Sequence, residues 1–300
     1  FDYAPLAETM GRVLWSPEVF NCNAPDTGNM EVFMKYGTAA QQAEWLTPML
    51  EGNVASSYAM TEPQVASSDA TNIELSIVRD GDQYVLNGRK WFITSAMYER
   101  SKIFIVMGKS DPNNENRHKQ QSQILVPKGT KGMTIIRPLT TLGYDDAPLG
   151  HAELLFENVR VPAENMLLGE GRGFEIAQGR LGPGRMHHCM RLIGATQRCL
   201  ELACARAADR TTFGKKLSAH QSVREDIANS FAEIEMMRLL VLKSCHKIDE
   251  VGAQDARDMI AAAKVKIPLM AQNIIDRCMQ LHGAGGLTED YCMAEAFNYA

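Results

Sequence analysis

The spacing of apolar residues changes twice along the chain of 300 residues. Over residues 1–53, apolar side chains recur at the three- and four-residue intervals of an α-helix, with one turn at 23–26. Over residues 54–162, short apolar runs alternate with turn sequences, which is typical of β-strands. Over residues 163–300 the helical interval returns. The pattern predicts an α+β protein with three successive parts.

The strands of the middle part are predicted to be short and antiparallel. Turns are predicted at 80–82 and 87–88, and the polar stretch 111–121 is interpreted as a solvated loop because it has no period. The candidate strands are 73–78, 84–86, 91–93, 103–107, 123–126, 133–136 and 154–156.

Three long amphipathic helices are predicted in the last part. Stripes of this kind are typical of an antiparallel helix bundle. Pro268 is expected to kink the third helix or to mark its start. The stripes contain Met186, Met190, Ile193, Gln197, Leu200 and Cys204 in the first helix, Ile227, Phe231, Ile234 and Val241 in the second, and Met259, Ala263, Leu269, Ile274 and Leu281 in the third.

Composition narrows the class of protein. A hydrophobic content of 45% allows a large core. The net charge is -5 and basic residues are dispersed among acidic ones, which argues against nucleic-acid or membrane-surface binding. No apolar run approaches the ~20 residues that span a bilayer. The seven cysteines include no C-x-x-C pair, which favours reduced thiols in an intracellular compartment, and no metal site is predicted.

Two motifs in the middle part carry the strongest chemical indication. Residues 58–69 combine an aromatic ring, hydroxyls and small side chains, and the run 91–94 follows about one hairpin later. A flavin requires hydrogen-bond partners at the N1/O2 and N5/O4 edges of its ring and an aromatic wall against one face. Thr61 and Thr94 supply hydroxyls and Phe92 supplies a ring. From composition alone, the first motif fits a polar turn as well as it fits a flavin site.

Three glycine-containing motifs follow in the last part. Residues 210–215 are interpreted from sequence alone as a helix end with a glycine cap. Residues 280–286 fit either a helix stop or a row of backbone N–H groups for a pyrophosphate. The run 169–174 resembles a dinucleotide fingerprint but lacks a parallel βαβ context, so a flexible entry to the next helix is the preferred interpretation.

The order and spacing of these motifs resemble the acyl-CoA dehydrogenase family over the whole chain. The resemblance implies a helical N-terminal part, a middle antiparallel β-barrel domain and a C-terminal antiparallel helix bundle. It also implies FAD, oxidation of a fatty acyl-CoA to the trans-2-enoyl-CoA, and transfer of electrons to an electron-transfer flavoprotein. An acyl-CoA oxidase and a non-catalytic protein that binds FAD or acyl-CoA stay open as alternatives.

The runs 60–72 and 179–188 look most like the branch of family members 10 and 11. That resemblance implies a long or branched acyl chain and a mitochondrial or alternatively peroxisomal location. The resemblance to the family as a whole implies a homodimer or homotetramer. Because the chain begins at Phe1 inside a helical pattern, an upstream segment is expected, and it would carry any targeting sequence.

The resemblance also assigns individual site residues. Phe92 takes the stacking position, and Trp91 is expected on the other side of the strand. Ser68 and Arg185 are assigned to the acyl-CoA. The residues assigned to FAD are Tyr58, Met60, Thr61, Ser67, Ser68, Phe92, Ile93 and Thr94, together with a group that reaches the FAD of a neighbouring subunit, namely Arg210, Phe213, Gln221, Gln280, Gly283 and Ala284.

The catalytic base is expected beyond Ala300. A desolvated carboxylate suits removal of the α-proton, because burial raises its basicity. In the family it usually lies on a loop after the glycine motif, and in a minority of relatives at the position of Gly184, where glycine cannot act. Carboxylates near the motifs are interpreted as turn, cap or surface residues. These are Glu62, Asp69, Asp145, Asp146, Glu289 and Asp290.

Overall fold

The computed structural model describes the whole chain, from Phe1 to Ala300. Its residues separate into two compact units. The helical unit contains residues 1–20 and 182–300, and the sheet unit contains residues 21–181. Helices precede and follow the strands of one large sheet, so the predicted α+β class is confirmed. The predicted domain boundaries at 53 and 162 stay predictions.

Nine α-helices account for the helical periods at the two ends of the chain. A π-helical turn at Gln42–Leu46 joins two short helices. Thr38 begins the first of these with a capping box, in which the Thr38 and Gln41 side chains each bond the other residue's backbone N–H. The helices are α1 (Tyr3–Gly11), α2 (Ser16–Val19), α3 (Asp26–Tyr36), α4 (Ala39–Gln41), α5 (Thr47–Leu50), α6 (Gly173–Asp209), α7 (Gln221–Asp255), α8 (Arg257–His282) and α9 (Met293–Tyr299).

Strands occupy the middle of the chain, as predicted. They are β1 (Ala55–Ala59), β2 (Ser76–Asp80), β3 (Gln83–Thr94), β4 (Ser101–Lys109), β5 (Gln121–Pro127), β6 (Met133–Leu139) and β7 (His151–Pro162), with a separate later hairpin of β8 (Thr211–Thr212) and β9 (Lys215–Lys216). The first seven form one sheet in the order β1-β4-β2-β3-β7-β6, and β5 also pairs with β4. β1 and β4 are parallel, and the long connection that a parallel pair needs contains β2 and β3, so the sheet is mixed rather than purely antiparallel.

The turn predicted at 87–88 is wrong, because β3 continues through these residues opposite a bulge in β7. The register with β7 shifts between Leu86 and Gly88. The Oδ1 of Asn87 accepts a hydrogen bond of 2.7 Å from the backbone N–H of Asn158. A Cβ atom on Gly88 would lie 2.9 Å from the Leu75 backbone, so the glycine permits a close approach of two chain segments.

Helices α7 and α8 form an antiparallel pair in the helical unit, as predicted. Ion pairs join Lys247 to Asp258 at 2.9 Å and Arg277 to Glu233 at 2.6 Å, which fixes the opposite directions of the two helices. Their buried faces and that of α6 contribute to one core, which includes Met190, Ile193, Leu200, Ile234, Met237, Val241, Ile260, Ala263, Ile267, Ala271 and Ile274.

The predicted stripes of these helices are only partly correct. Phe231 and Leu269 were placed on the inner faces but are 56% and 57% exposed. Both helices carry apolar residues on two faces, and the buried face is completed by small or polar residues such as Ser230 and Ala271, which hydrophobicity does not identify. Pro268 lies inside α8 and does not mark its start, which is at Arg257.

Two glycines allow α1 and α6 to cross at close distance. A Cβ atom on Gly194 would lie 2.0 Å from the carbonyl oxygen of Glu8, and one on Gly11 would lie 2.2 Å from the carbonyl oxygen of Arg191. Both contacts involve backbone atoms, which cannot move aside as a flexible side chain can. A side chain at either position would therefore push the two helices apart.

We predict that Gly194→Ala lowers the free energy of unfolding by about 1–3 kcal/mol, because it overpacks this crossing. Gly184→Ala is the matched control in the same helix, since its Cβ atom would meet nothing within 4 Å. The control should gain up to about 1 kcal/mol from the higher helix propensity of alanine. Urea denaturation measures both. Equal changes in the free energy of unfolding for the two variants, with the same sign, would contradict the close crossing at Gly194.

Candidate functional site

A fully buried ion pair joins the two chemical motifs of the sheet unit. Lys90 Nζ lies 2.8 Å from Glu62 Oε1, and both side chains are 0% exposed. The Glu62 carboxylate also accepts hydrogen bonds from the backbone N–H groups of Glu74 at 2.8 Å and Leu75 at 3.0 Å. Lys90 also donates to the carbonyl oxygen of Met60 at 2.7 Å. Burial lowers the pKa of Lys90 to about 8, and Glu62 opposes this lowering.

The interpretation of Glu62 as a turn, cap or surface residue is therefore wrong, and Lys90 is absent from the predicted site residues. A signal was present in the alternation along β3. Tyr84, Leu86 and Lys90 occupy positions of the same parity, and all three are buried. A lysine on the inner face of a strand requires a buried anionic partner.

The first motif is fastened to β3 next to this ion pair. The Oγ1 of Thr61 donates a hydrogen bond of 2.6 Å to the carbonyl oxygen of Trp91. The backbone N–H of Trp91 donates one of 3.0 Å to the carbonyl oxygen of Thr61. Because its proton is engaged by this carbonyl, the half-buried Thr61 hydroxyl can only accept a hydrogen bond from a ligand.

A bulge in β3 determines the positions of the two aromatic rings. The register with β7 shifts between Lys90 and Ile93, and Phe92 has a φ of 52° in the left-handed region. The rings of Trp91 and Phe92 meet edge to face with their centroids 4.9 Å apart. The expectation that Trp91 lies on the other side of the strand is therefore wrong, because the bulge interrupts the alternation. The Phe92 side chain is 43% exposed.

At the end of β3, Thr94 is linked to two residues that are not among the predicted site residues. Its Oγ1 lies 3.1 Å from Nδ1 of His151, and Nε2 of His151 lies 2.8 Å from Oδ2 of Asp146. The preceding Ile93 is 1% exposed and packs in the sheet core. A ligand at this edge would therefore meet the Thr94 side chain but only the backbone of Ile93.

The other residues of the first motif have separate surroundings. The Tyr58 hydroxyl accepts a hydrogen bond of 2.8 Å from Gln123, and the Arg180 guanidinium lies 4.1 Å from the ring centroid. Burial raises the pKa of Tyr58 to about 12. The Ser67 hydroxyl accepts from the backbone N–H of Glu62 at 2.8 Å, so it closes the loop of the motif. Met60 is half-buried and Ser68 is exposed.

The helical unit presents a second set of predicted residues on a tight hairpin after α6. Phe213 and Gly214 form its turn with φ angles of 49° and 74°, which fits a type I′ turn. The Phe213 side chain is 97% exposed. Arg210 precedes the hairpin, with its side chain exposed and its carbonyl accepting from the Leu217 N–H at 2.8 Å. Gln221 begins α7 and donates to Glu225 at 3.1 Å.

The glycine motif lies at the same end of the α7 and α8 pair, because the two helices are antiparallel. Gln280, Gly283 and Ala284 are exposed there, and Gly283 has a φ of 61°. His282 lies among these residues in the sequence but its side chain is buried, with Nδ1 2.8 Å from the carbonyl oxygen of Cys278. Arg185, the residue predicted to contact substrate, is half-buried within α6. Its helix begins at Gly173.

Three other features of the structure bear on its chemistry. No helix combines the length and apolarity needed to cross a membrane. No three His, Cys, Asp or Glu side chains are grouped so that they could hold a metal ion. All seven cysteines are free.

Comparison with known proteins identifies the fold. The model of the acyl-CoA dehydrogenase middle domain matches residues 57–159, and that of the C-terminal domain matches residues 171–300. A solved structure from Mycobacterium abscessus, assigned to the acyl-CoA dehydrogenases, has a TM-score of 0.97 and 50% identity over 99% of this chain and 72% of that one. The chain belongs to the acyl-CoA dehydrogenase family.

Curated members of the acyl-CoA dehydrogenase family are longer than this chain. Probable acyl-CoA dehydrogenase IBR3 of Arabidopsis thaliana is 57% identical over 98% of this chain and 35% of its own length. Acyl-CoA dehydrogenase family member 10 of Mus musculus is 54% identical over 100% of this chain and 28% of its own length. The chain thus spans about a third of these relatives. The predicted resemblance to the branch of members 10 and 11 is confirmed.

We predict that Lys90→Met lowers the free energy of unfolding by about 3–5 kcal/mol, because it leaves the Glu62 carboxylate buried without its cation. Adding Glu62→Gln should restore part of this loss, since the uncompensated charge is then removed.

The matched control is Arg160→Met in the same sheet. Arg160 pairs with Asp80 at 2.8 Å, with 52% and 60% of the side chains exposed. An exposed pair should contribute at most about 1 kcal/mol. Urea denaturation measures the free energy of unfolding of all variants. Similar losses for Lys90→Met and Arg160→Met would contradict the role of the buried ion pair in holding the first motif against β3.

Proposed function

We propose that this chain binds FAD and that the whole protein oxidises a long or branched fatty acyl-CoA to the trans-2-enoyl-CoA. The observation that carries the proposal is the cluster of the exposed Phe92 ring with the Thr61 and Thr94 hydroxyls at one bulge of β3. A glutaryl-CoA dehydrogenase from Mycobacterium smegmatis, described in complex with FADH2, supports FAD, with a TM-score of 0.80 at 26% identity.

The chemistry of this cluster fits an isoalloxazine ring. Such a ring has one polar pyrimidine edge and a broad aromatic face. Phe92 supplies a half-exposed aromatic surface, and Trp91 supports it edge to face. We assign Thr61 to the pyrimidine edge, where its oxygen would accept from the ring N3–H group, and Thr94 to the N5/O4 edge. The bound FAD would supply the acceptor for the hydride that leaves the β-carbon of the substrate.

The hairpin and glycine motif of the helical unit are assigned to the adenosine and phosphate part of an FAD in a second copy of the chain. The nearly complete exposure of Phe213 supports this, because a large aromatic ring held at a hairpin tip is typical of a contact surface. Arg210 supplies a charge for a phosphate. The exposed backbone at Gly283 and Ala284 supplies N–H groups. This assignment requires a homodimer or homotetramer.

The base that removes the α-proton is not Glu62. Its Oε1 is bonded to Lys90 and Leu75, and its Oε2 is bonded to Glu74. A carboxylate with both oxygens engaged and no solvent exposure cannot reach a substrate. Its contribution to the site is to hold the first motif against β3.

We further propose an electron-transfer flavoprotein as the electron acceptor and a mitochondrial or peroxisomal location. A solved structure described as the electron transferring flavoprotein of Acidaminococcus fermentans contains a chain similar to this one, with a TM-score of 0.80 at 28% identity. The location rests on the resemblance to the branch of members 10 and 11. Both require the full-length protein for their test.

We predict that long-chain or branched acyl-CoAs bleach the flavin band of the purified full-length protein under anaerobic conditions. Free CoA is the control, since it has no α- and β-carbons to oxidise. A bound flavin that no acyl-CoA reduces would indicate a non-catalytic binding protein. Peroxide released at the rate of turnover in air would indicate an oxidase. A protein without flavin would overturn the proposal.

We predict that Arg210→Ala weakens FAD binding by roughly 10- to 150-fold, the loss expected for one hydrogen bond to a charged group. Lys215→Ala is the control, since it removes an exposed cation from the same hairpin. The measurement is titration of the apoprotein with FAD by fluorescence quenching. Equal effects of the two variants would leave only a general charge effect and contradict the assignment of Arg210.

A further inference from the structure

We propose that His151, held by Asp146, is a positioning residue that fixes the direction of the Thr94 hydroxyl. The inference rests on the proposed placement of FAD at Thr94. Its basis is the row of contacts in which Thr94 Oγ1 lies 3.1 Å from His151 Nδ1 and His151 Nε2 lies 2.8 Å from Asp146 Oδ2.

The fold builds this row from two strands and a loop. Thr94 ends β3 and His151 begins β7, and the two residues are paired in the sheet register. The loop before β7 is folded back by a hydrogen bond of 2.7 Å from the Gly150 N–H to the carbonyl oxygen of Asp146. The N–H of Ser95 in turn donates to the carbonyl oxygen of Gly150 at 3.0 Å. Backbone bonds on both sides therefore hold the imidazole between its two partners.

The chemistry of the three groups gives the row a direction. An ionised carboxylate can only accept hydrogen bonds, so the bond to Asp146 requires a proton on Nε2 of His151. A neutral imidazole then has no proton on Nδ1, which must accept from the Thr94 hydroxyl. The oxygen of Thr94 retains its lone pairs and no free proton. Towards a ligand, Thr94 is consequently an acceptor.

This direction distinguishes the two redox states of a flavin. The oxidised N5 atom is an acceptor, whereas the reduced N5 carries a hydrogen and is a donor. An acceptor oxygen at this edge therefore favours the reduced cofactor. If His151 is removed, the Thr94 hydroxyl becomes free to donate, and the oxidised form gains relative to the reduced form. His151 should thus raise the midpoint potential of the bound FAD without touching it.

A merely structural role for His151 is the alternative. Its ring centroid lies 6.3 Å from that of Phe92, so it could serve only to support that ring. The two roles differ in their dependence on the Thr94 hydroxyl. Loss of packing would act whether or not the hydroxyl is present, whereas a directing role disappears when Thr94 is replaced by valine.

The first test needs no cofactor. Nitrogen-15 NMR of histidine-labelled protein reports which ring nitrogen carries the proton. We expect a protonated Nε2 and an unprotonated Nδ1 for His151, assigned by the loss of its signals in His151→Asn. A proton on Nδ1 alone would overturn the proposal.

The second test is the midpoint potential of the bound FAD at fixed pH. His151→Phe should change the ratio of affinities for reduced and oxidised FAD by up to about tenfold, the effect of one hydrogen bond. For a two-electron couple this corresponds to a fall of up to about 30 mV. His151→Asn keeps an acceptor oxygen near the place of Nδ1 and should stay close to the wild type. In a Thr94→Val background, His151→Phe should cause no further fall.

The outcomes separate this proposal from the proposed function. An unchanged potential in His151→Phe, or an equal fall in the Thr94→Val background, overturns the directing role alone while FAD binding stands. Wild-type protein that binds no FAD overturns both. Should His151→Phe fail to fold, His151→Asn and the NMR measurement on the wild type still decide the question.

Discussion

The buried pair of Glu62 and Lys90 is the contact on which the arrangement of the sheet unit depends. Moving two charges out of water is expensive, and their attraction compensates only when the remaining hydrogen bonds are satisfied. Here the surrounding backbone supplies those bonds: the N–H groups of Glu74 and Leu75 donate to the carboxylate, and the carbonyl oxygen of Met60 accepts from the ammonium group. The pair therefore specifies one register between the first motif and β3, since a shift of either segment would leave buried charges unsatisfied.

The bulge at Trp91 and Phe92 follows directly from this anchor. Lys90 must face inward to reach Glu62, and Ile93, three residues after Lys90, also faces the core. In a regular strand, residues separated by an odd number cannot share a face. Inserting one extra residue resolves the conflict, at the cost of a left-handed conformation at Phe92. The extra residue is the one whose ring is available to a ligand.

Sequence periodicity was sufficient to predict the order of helices, sheet and helices, and the motifs were sufficient to predict the family. Periodicity failed where tertiary contacts override it. The side of the strand assigned to Trp91 was wrong because alternation assumes an unbroken strand. The buried role of Glu62 depends on Lys90, which is distant in sequence. The prediction that Phe231 and Leu269 face the core is wrong, because hydrophobicity alone does not indicate which of two apolar helix faces packs against the rest of the chain.

The hairpin that exposes Phe213 has a consequence for how the protein holds its cofactor. If the tip of this hairpin completes the cofactor site of a second copy, then cofactor binding and association of the chains are thermodynamically linked. The apparent affinity for FAD would depend on protein concentration, and dilution would release the cofactor even though no residue near the flavin ring had changed. Cofactor occupancy would then report the state of assembly.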